Sequence, residues 1–247
     1  MAGNAYRIAV VTGASRGIGA ALVRALRARG LEVHAVARGA DALAALARDS
    51  GCVPHALDVA DRAQVAAALG GLEADILVNN AAASAKGTPS FETAADQMDD
   101  LLRVNLAGVV NCLAVLVPGM RARRRGHIVN LGSIAGHRAI SGMPAYGMTK
   151  AAIHNLSQTL RLDLHGAGVR VTEIVPGRVE TGIHLRLMDD PDAARRSFYD
   201  GYASLQPEDI VAAILFALDA PARMDVTLME IMPTDQVYGG SAFVKRG

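Results

Sequence analysis

A chain of 247 residues that is 51% hydrophobic, with 25 basic against 24 acidic side chains and a formal net charge of +1, can bury one large core. That balance gives no electrostatic bias toward a nucleic-acid backbone or an anionic membrane, so neither is expected as a partner. The apolar runs are short and interrupted, and Met1 to Arg7 lacks the basic-then-apolar pattern of an export signal, so a cytoplasmic protein is expected. Cys52 and Cys112 have no metal-type spacing and sit among apolar residues, which predicts buried thiols and no metal centre.

Arg7 to Val11 is a short β-branched run, read as a buried strand, and it leads into Thr12-Gly-Ala-Ser-Arg-Gly-Ile-Gly19. Ala20 to Arg29 then carries apolar residues at helical spacing, with Gly30 as a stop. In a strand–loop–helix unit, Gly13 permits a tight turn, Gly17 lets backbone approach a pyrophosphate and Gly19 allows close packing. The helix N-terminus then faces the anion. The spacing resembles the cofactor loop of the short-chain dehydrogenase/reductase family. That resemblance implies cofactor contacts from Gly13, Ser15, Arg16, Gly17, Ile18 and Gly19.

Leu31 to Ala37 reads as the second strand. In a dinucleotide fold an acidic residue at its end would bind the ribose of NAD, whereas an arginine accommodates the 2′-phosphate of NADP. Here the end reads Ala37-Arg38, and the resemblance implies that Arg38, with Arg16, favours NADP. A helix over 40–48 leads to a third strand over 52–57, ending in Asp58-Val59. By resemblance these two residues lie against the adenine; Asp58 could equally cap the helix that begins near Asp61.

Asp75 to Asn79 is the fourth strand and continues as Asn80-Ala81-Ala82, which resembles the family's Asn-Asn-Ala-Gly motif beside the cofactor. Ala82 stands where the family has glycine, so its Cβ demands a negative φ or extra room. Residues 90–120 read as long helical material with Asn105 inside an apolar stripe, where an amide needs a partner. By resemblance Asn105 is a catalytic-tetrad member that kinks this helix and holds a water leading to the lysine. The basic run Arg121 to Arg125 reads as a solvated helix end.

Gly126 to Leu131 is the fifth strand, and Ser133 follows at its end, where ligands gather in open α/β sheets. Tyr146 and Lys150, four apart on the next helix (146–165), share one face. The ammonium can then lower the phenol's pKa and make it a proton donor or acceptor. By resemblance Ser133, Tyr146 and Lys150 complete the tetrad, with Tyr146 and Lys150 also meeting the nicotinamide ribose. His137 and His154 read as ordinary polar residues. Val169 to Val175 is the sixth strand, followed by Pro176-Gly177-Arg178-Val179-Glu180-Thr181. In the family this segment closes on the nicotinamide, implicating Pro176, Gly177, Val179 and Thr181. A helix over 207–220 and a strand over 225–232 end the pattern.

Helix–strand alternation implies an α/β fold, a doubly wound seven-stranded parallel sheet with helices on both faces. The resemblance, spread over five ordered motifs, implies one Rossmann-fold catalytic domain over 1–247 with a substrate lid at about 182–205. It further implies hydride transfer between NADP(H) and a carbinol or carbonyl carbon of a small hydroxy or oxo substrate. Strings such as 160–172 and 229–236 look like the NADP-dependent 3-hydroxy acid (serine) dehydrogenase branch, with Arg178, His184 or Arg186 as partners for a carboxylate. Met143, Met148, Leu185, Leu187 and Met188 would instead suit reduction of an apolar ketone or aldehyde. A cofactor-binding sensor without turnover would carry a damaged tetrad. Family members form tetramers or dimers through the helices at 90–120 and 146–165.

Overall fold

The computed structural model describes residues 6–84, 95–183, 185, 188 and 190–237. Seven strands, β1 (Ile8–Thr12), β2 (Glu32–Ala37), β3 (Val53–Ala56), β4 (Ile76–Asn79), β5 (Gly126–Leu131), β6 (Val169–Pro176) and β7 (Leu228–Ile231), form one parallel sheet. Its order is β3-β2-β1-β4-β5-β6-β7. Each crossover carries helix, because a parallel neighbour can be reached only by crossing a face of the sheet. The helices are α1 (Gly17–Ala28), α2 (Ala40–Ser50), α3 (Arg62–Leu69), α4 (Ala95–Leu102), α5 (Gly108–Ala122), α6 (Pro144–Asp163), α7 (Pro191–Phe198) and α8 (Pro207–Asp219).

Two apolar layers sandwich the sheet. On one face Val11 and Val33 of the strands meet Leu22 and Leu26 of α1, Leu43 of α2 and Ile210 and Ile214 of α8. On the other, Leu77 and Ile128 meet Val65 of α3, Leu116 and Met120 of α5 and Ile153 of α6. Covering both faces is why β5 and β6 are buried throughout and read as continuous rather than alternating apolar runs. The chain winds outward from β1 to β3, then returns to place β4 on the other side of β1. The order reverses between the C-terminal ends of β1 and β4, which opens a crevice there.

The long helical stretch expected over 90–120 is present in its described part, and Asn105, expected to kink it, sits in a wide turn at Arg103–Ala107 where the backbone takes π-helical spacing. The apolar runs are not all as short as expected: within Gln97–Ala122 an 18-residue stretch has a mean hydropathy of 1.8, enough by length and composition to cross a bilayer. Here its buried face, with Val109, Cys112, Leu113, Leu116 and Met120, fills the core. Nor is the run Arg121 to Arg125 merely solvated. Arg123 donates to the Ala74 carbonyl (2.8 Å), and Arg125 pairs with the buried Asp75 (2.6 Å), which also accepts from the Arg7 amide.

The last strand is shorter than the expected 225–232, since β6 pairs with it only along Glu173–Pro176. Cys52 and Cys112 are free and buried, and burial pushes the Cys112 thiol up to about 12.

Candidate active site

At the mouth of β1 the chain turns through Gly13 with φ +66°, a left-handed conformation that a side chain disfavours. A Cβ there would meet Ala81 Cα and Asn80 Nδ2, both at 2.8 Å. The glycine loop is therefore pressed directly against the end of β4. Thr12 Oγ1 accepts from the Asn80 and Ala81 amides (3.0 Å each) and donates to the Val78 carbonyl (3.2 Å). Asn80 Nδ2 donates to the carbonyls of Thr12 (2.8 Å) and Gly13 (3.2 Å). These bonds leave α1, which starts at Gly17 rather than at the expected Ala20, pointing its N-terminus into the crevice.

The crevice encloses about 620 Å³. Of the residues singled out from the sequence, Gly13, Ser15, Arg16, Gly17, Ile18, Arg38, Asp58, Val59, Asn80, Ala81, Ala82, Ser133, Tyr146, Lys150, Pro176, Gly177, Val179 and Thr181 all line it. Gly19 and Asn105 do not. Gly19 lies behind, where a Cβ would collide with the Gly13 carbonyl. Arg16 and Arg38 are both exposed at this rim. Asp58 does not cap α3; Asp61 does, accepting from Ala63 and Gln64 amides. Asp58 instead pairs with Arg103 (3.1 Å) and accepts from the Ala60 amide (3.0 Å). Ala82 fits without a positive φ, since Arg124 alone among the described non-glycine residues has one.

Asn105 is buried and fully committed to protein. Its Oδ1 accepts from the Ala83 amide (2.7 Å), and its Nδ2 donates to the Ala83 carbonyl and to Thr149 Oγ1 (3.1 Å each). It thus ties the wide turn to the loop after β4 and to α6, one residue before Lys150. A second buried chain runs from Asn79 through Asn130 to Ser157 (2.9 Å per step), coupling β4 and β5 to the same helix. Buried amides satisfied in this way fix the register of α6 against the sheet.

On α6, with Pro144 in its first turn, Tyr146 and Lys150 face the end of β5. The Ser133 hydroxyl, which accepts from the Ala135 amide (3.2 Å), lies close enough to the Tyr146 phenol to influence its titration. Lys150 Nζ donates to the Leu131 carbonyl (2.7 Å) and lies 5.6 Å from the Tyr146 ring centroid. Burial draws the Lys150 ammonium down to about 8, opposed by the charge of Glu173. Burial likewise pushes the Tyr146 phenol up to about 12, opposed by the Ser133 hydroxyl. Desolvation of the phenolate is the largest influence here, so the phenol lies above its ordinary value rather than below it.

After β6, the backbone pairs Val179 with Leu205, and the amides of Glu180 and Leu205 bond to the carbonyls of Leu205 and Arg178. This ladder closes the base of the segment between them, which carries α7. Arg178 lines the crevice, donates to the Phe198 carbonyl (3.2 Å) and stacks over Phe198 (5.4 Å) and Tyr202 (5.7 Å). His184, Arg186 and Leu187 lie outside the described residues. Met143 lines the crevice, but Met148 is turned outward and exposed. Sequence reasoning missed Gln236, whose Oε1 accepts from the Arg178 amide (2.9 Å) and which also lines the crevice. No local signal marks a glutamine that reaches back 58 positions.

Residues 7–192 match the family model described as short chain dehydrogenase. An uncharacterized short-chain type dehydrogenase/reductase of Sinorhizobium fredii is 38% identical, covering 98% of this chain and 97% of its own. The NADP-dependent 3-hydroxy acid dehydrogenase YdfG of Escherichia coli K12 is 35% identical, covering 94% and 97% respectively. Among solved structures, the closed form of serine dehydrogenase complexed with NADP+ superposes with a TM-score of 0.91 at 34% identity, covering 97% of this chain and all of that one. With the crevice and its rim in place, these matches show that the chain belongs to the short-chain dehydrogenase family.

Proposed function

We propose that the chain is an NADP(H)-dependent dehydrogenase/reductase, acting at the carbinol or carbonyl carbon of a small 3-hydroxy or 3-oxo acid. The observation that carries the reading is the convergence of Ser133, Tyr146 and Lys150 on one end of the crevice whose other end is the glycine loop. The residues fit the cofactor. The Gly13 turn admits backbone but no side chain, the α1 N-terminus is free to meet a phosphate, and β2 ends in Ala37 rather than an acid beside exposed Arg38 and Arg16. Asp58 and Val59 would bound the adenine, and the stretch from Pro176 to Thr181 the nicotinamide. When bound, NADP supplies the hydride chemistry.

The protein's part is to orient a substrate oxygen and to move a proton at it. Ser133 hydrogen-bonds that oxygen and Tyr146 Oη holds the transferable proton. A phenol pushed up to about 12 is protonated at neutral pH, poised to give its proton to a carbonyl oxygen as that oxygen gains charge. Lys150, kept cationic near neutrality, favours the return of that proton in the opposite direction. Asn105 positions α6 rather than touching the reactants. Arg178, which lines the crevice with its guanidinium held against Phe198 and Tyr202, is the carboxylate partner, and the lid over about 182–205 excludes water.

An apolar ketone is the second reading, supported by Ile140, Met143 and Ile183 along the same wall. The exposed Val110 of α5 and Met148 and Leu162 of α6 support a homotetramer or homodimer, checked by light scattering. The function is tested by steady-state assay of the full chain with NADPH and NADH against 3-oxo acids and neutral ketones. Tyr146→Phe should cut turnover by about 10²–10⁴-fold while NADPH still binds. Arg38→Asp should weaken NADPH about 10–100-fold more than NADH. Wild type that binds NADPH yet reduces nothing in the panel would favour a cofactor sensor.

A further inference from the structure

Behind the end of β5, outside the crevice, three residues distant in sequence come together. Glu173 of β6 is wholly buried, yet its two carboxylate oxygens face different histidines: Oε1 is 3.1 Å from His137 Nε2, and Oε2 is 2.7 Å from His154 Nδ1. The imidazole centroids are 4.1 Å apart, and one ligand atom from each of the three residues lies within 4.8 Å of the others. None of the three lines the crevice.

We propose that His137, His154 and Glu173 form a three-ligand site for a divalent transition metal of the zinc class. Two imidazoles and one carboxylate are the donor set such ions take when a fourth position stays open. Donors around a tetrahedral ion with bonds of ~2.0–2.1 Å sit about 3.3 Å apart, so the carboxylate-to-imidazole spacings found here need little adjustment. The three ligands also stand on separate, braced elements. His137 closes the short turn Ile134–Gly136 through its amide bond to Ile134; His154 is on α6; Glu173 is mid-sheet. Gln158, one turn beyond His154, places its amide nitrogen 2.8 Å from His154 Nε2, donating to it while Nδ1 gives its proton to Glu173; with an ion on Nδ1, Nε2 becomes the donor and the amide turns to present its oxygen as the outer-layer acceptor. Both imidazoles are partly exposed while the carboxylate is not, so an ion has a path in and water can complete its shell.

Without metal the same groups are held by hydrogen bonds, each histidine giving a proton to the carboxylate. An entering ion displaces those protons. Occupancy reaches the catalytic helix. His154 lies one turn after Lys150, and the Gly132 backbone, just before Ser133, packs against Glu173 so closely that a Cβ would meet Oε1 at 2.5 Å. A dication on Glu173 offsets the negative charge that helps keep Lys150 protonated.

The test is titration of the full-length, tag-free, chelator-treated protein with Co²⁺, followed by visible d–d absorption, and then displacement by Zn²⁺. The expected result is one saturable Co²⁺ per chain with a four-coordinate spectrum, removed by stoichiometric Zn²⁺. His154→Ala and His137→Ala should each weaken binding at least tenfold while retaining wild-type circular dichroism and NADPH binding. No saturable spectrum in the wild type, or unchanged affinity in both folded variants, overturns the site.

Discussion

The wall of the crevice built from Thr12 to Gly19 and Asn80 to Ala82 is backbone fastened to backbone, whereas the wall built from Ser133, Tyr146 and Lys150 is side chains, the lysine buried and the other two half-buried. On the first, the fit comes from what is missing: a Cβ at Gly13 has no room, and Thr12 and Asn80 use short polar side chains only to clamp the loop. Its cations, Arg16 and Arg38, stay exposed. On the second wall burial moves the phenol up and the ammonium down. The difference teaches where each wall can fail: the first through shape, the second through proton occupancy.

Gly13→Val is the sharpest way to break the shape-based wall. The residue would need a positive φ at a β-branched position and would drive its Cβ to 2.8 Å from the Ala81 backbone, which has nowhere to yield. Left-handed strain of ~1–2 kcal/mol and overpacking of ~1–3 kcal/mol together predict a loss of roughly 3 kcal/mol. For a chain of this size that is a fall in melting temperature of about 6–12 °C, with NADPH binding lost alongside. Calorimetry with and without NADPH checks it. A variant that melts with wild type and still binds would show that the loop is free to move aside.

The two walls also differed in how readable they were. The glycine loop, Asn80 to Ala82 and Pro176 to Thr181 are local strings that carry the family resemblance, and all but Gly19 among the residues it implicates there line the crevice. Asn105 was legible as an amide needing partners and, by resemblance, as the residue that kinks its helix; that the partners are Ala83 and Thr149 depends on packing that no window of sequence contains. Lys150 was legible in position but not in its electrostatic setting. Four-residue spacing put it beside Tyr146, but which effect wins between charge and desolvation is decided by burial, a property of the folded whole. Glu173 and its two histidines were invisible for the same reason. The pairs are 36 and 19 positions apart, and each residue alone reads as an unremarkable polar side chain.

Lys150→Met sharpens the second half of the comparison, with a smaller effect of opposite sign on stability and on activity. The folded ammonium titrates near about 8 against an ordinary value of 10.5. Below pH ~8 both folded and unfolded chains hold the proton, and the folded state bears the full cost of a desolvated charge, roughly 3 kcal/mol by linkage. Between ~8 and ~10.5 the unfolded chain binds more protons than the folded one, so wild-type stability rises with pH; above ~10.5 the cost is gone. A methionine of similar length removes the charge but leaves the Leu131 carbonyl without its donor, a loss of ~1–3 kcal/mol. The net expectation is a gain of ~1 kcal/mol, about 2–4 °C in melting temperature at pH 7, shrinking as the pH approaches 10.5, while turnover collapses. Melting curves at three pH values on the cofactor-free protein decide it. If the methionine variant is less stable than wild type at neutral pH, or if its advantage does not change with pH, the ammonium is solvated in the folded chain, and the proton-controlled character assigned to this wall is wrong.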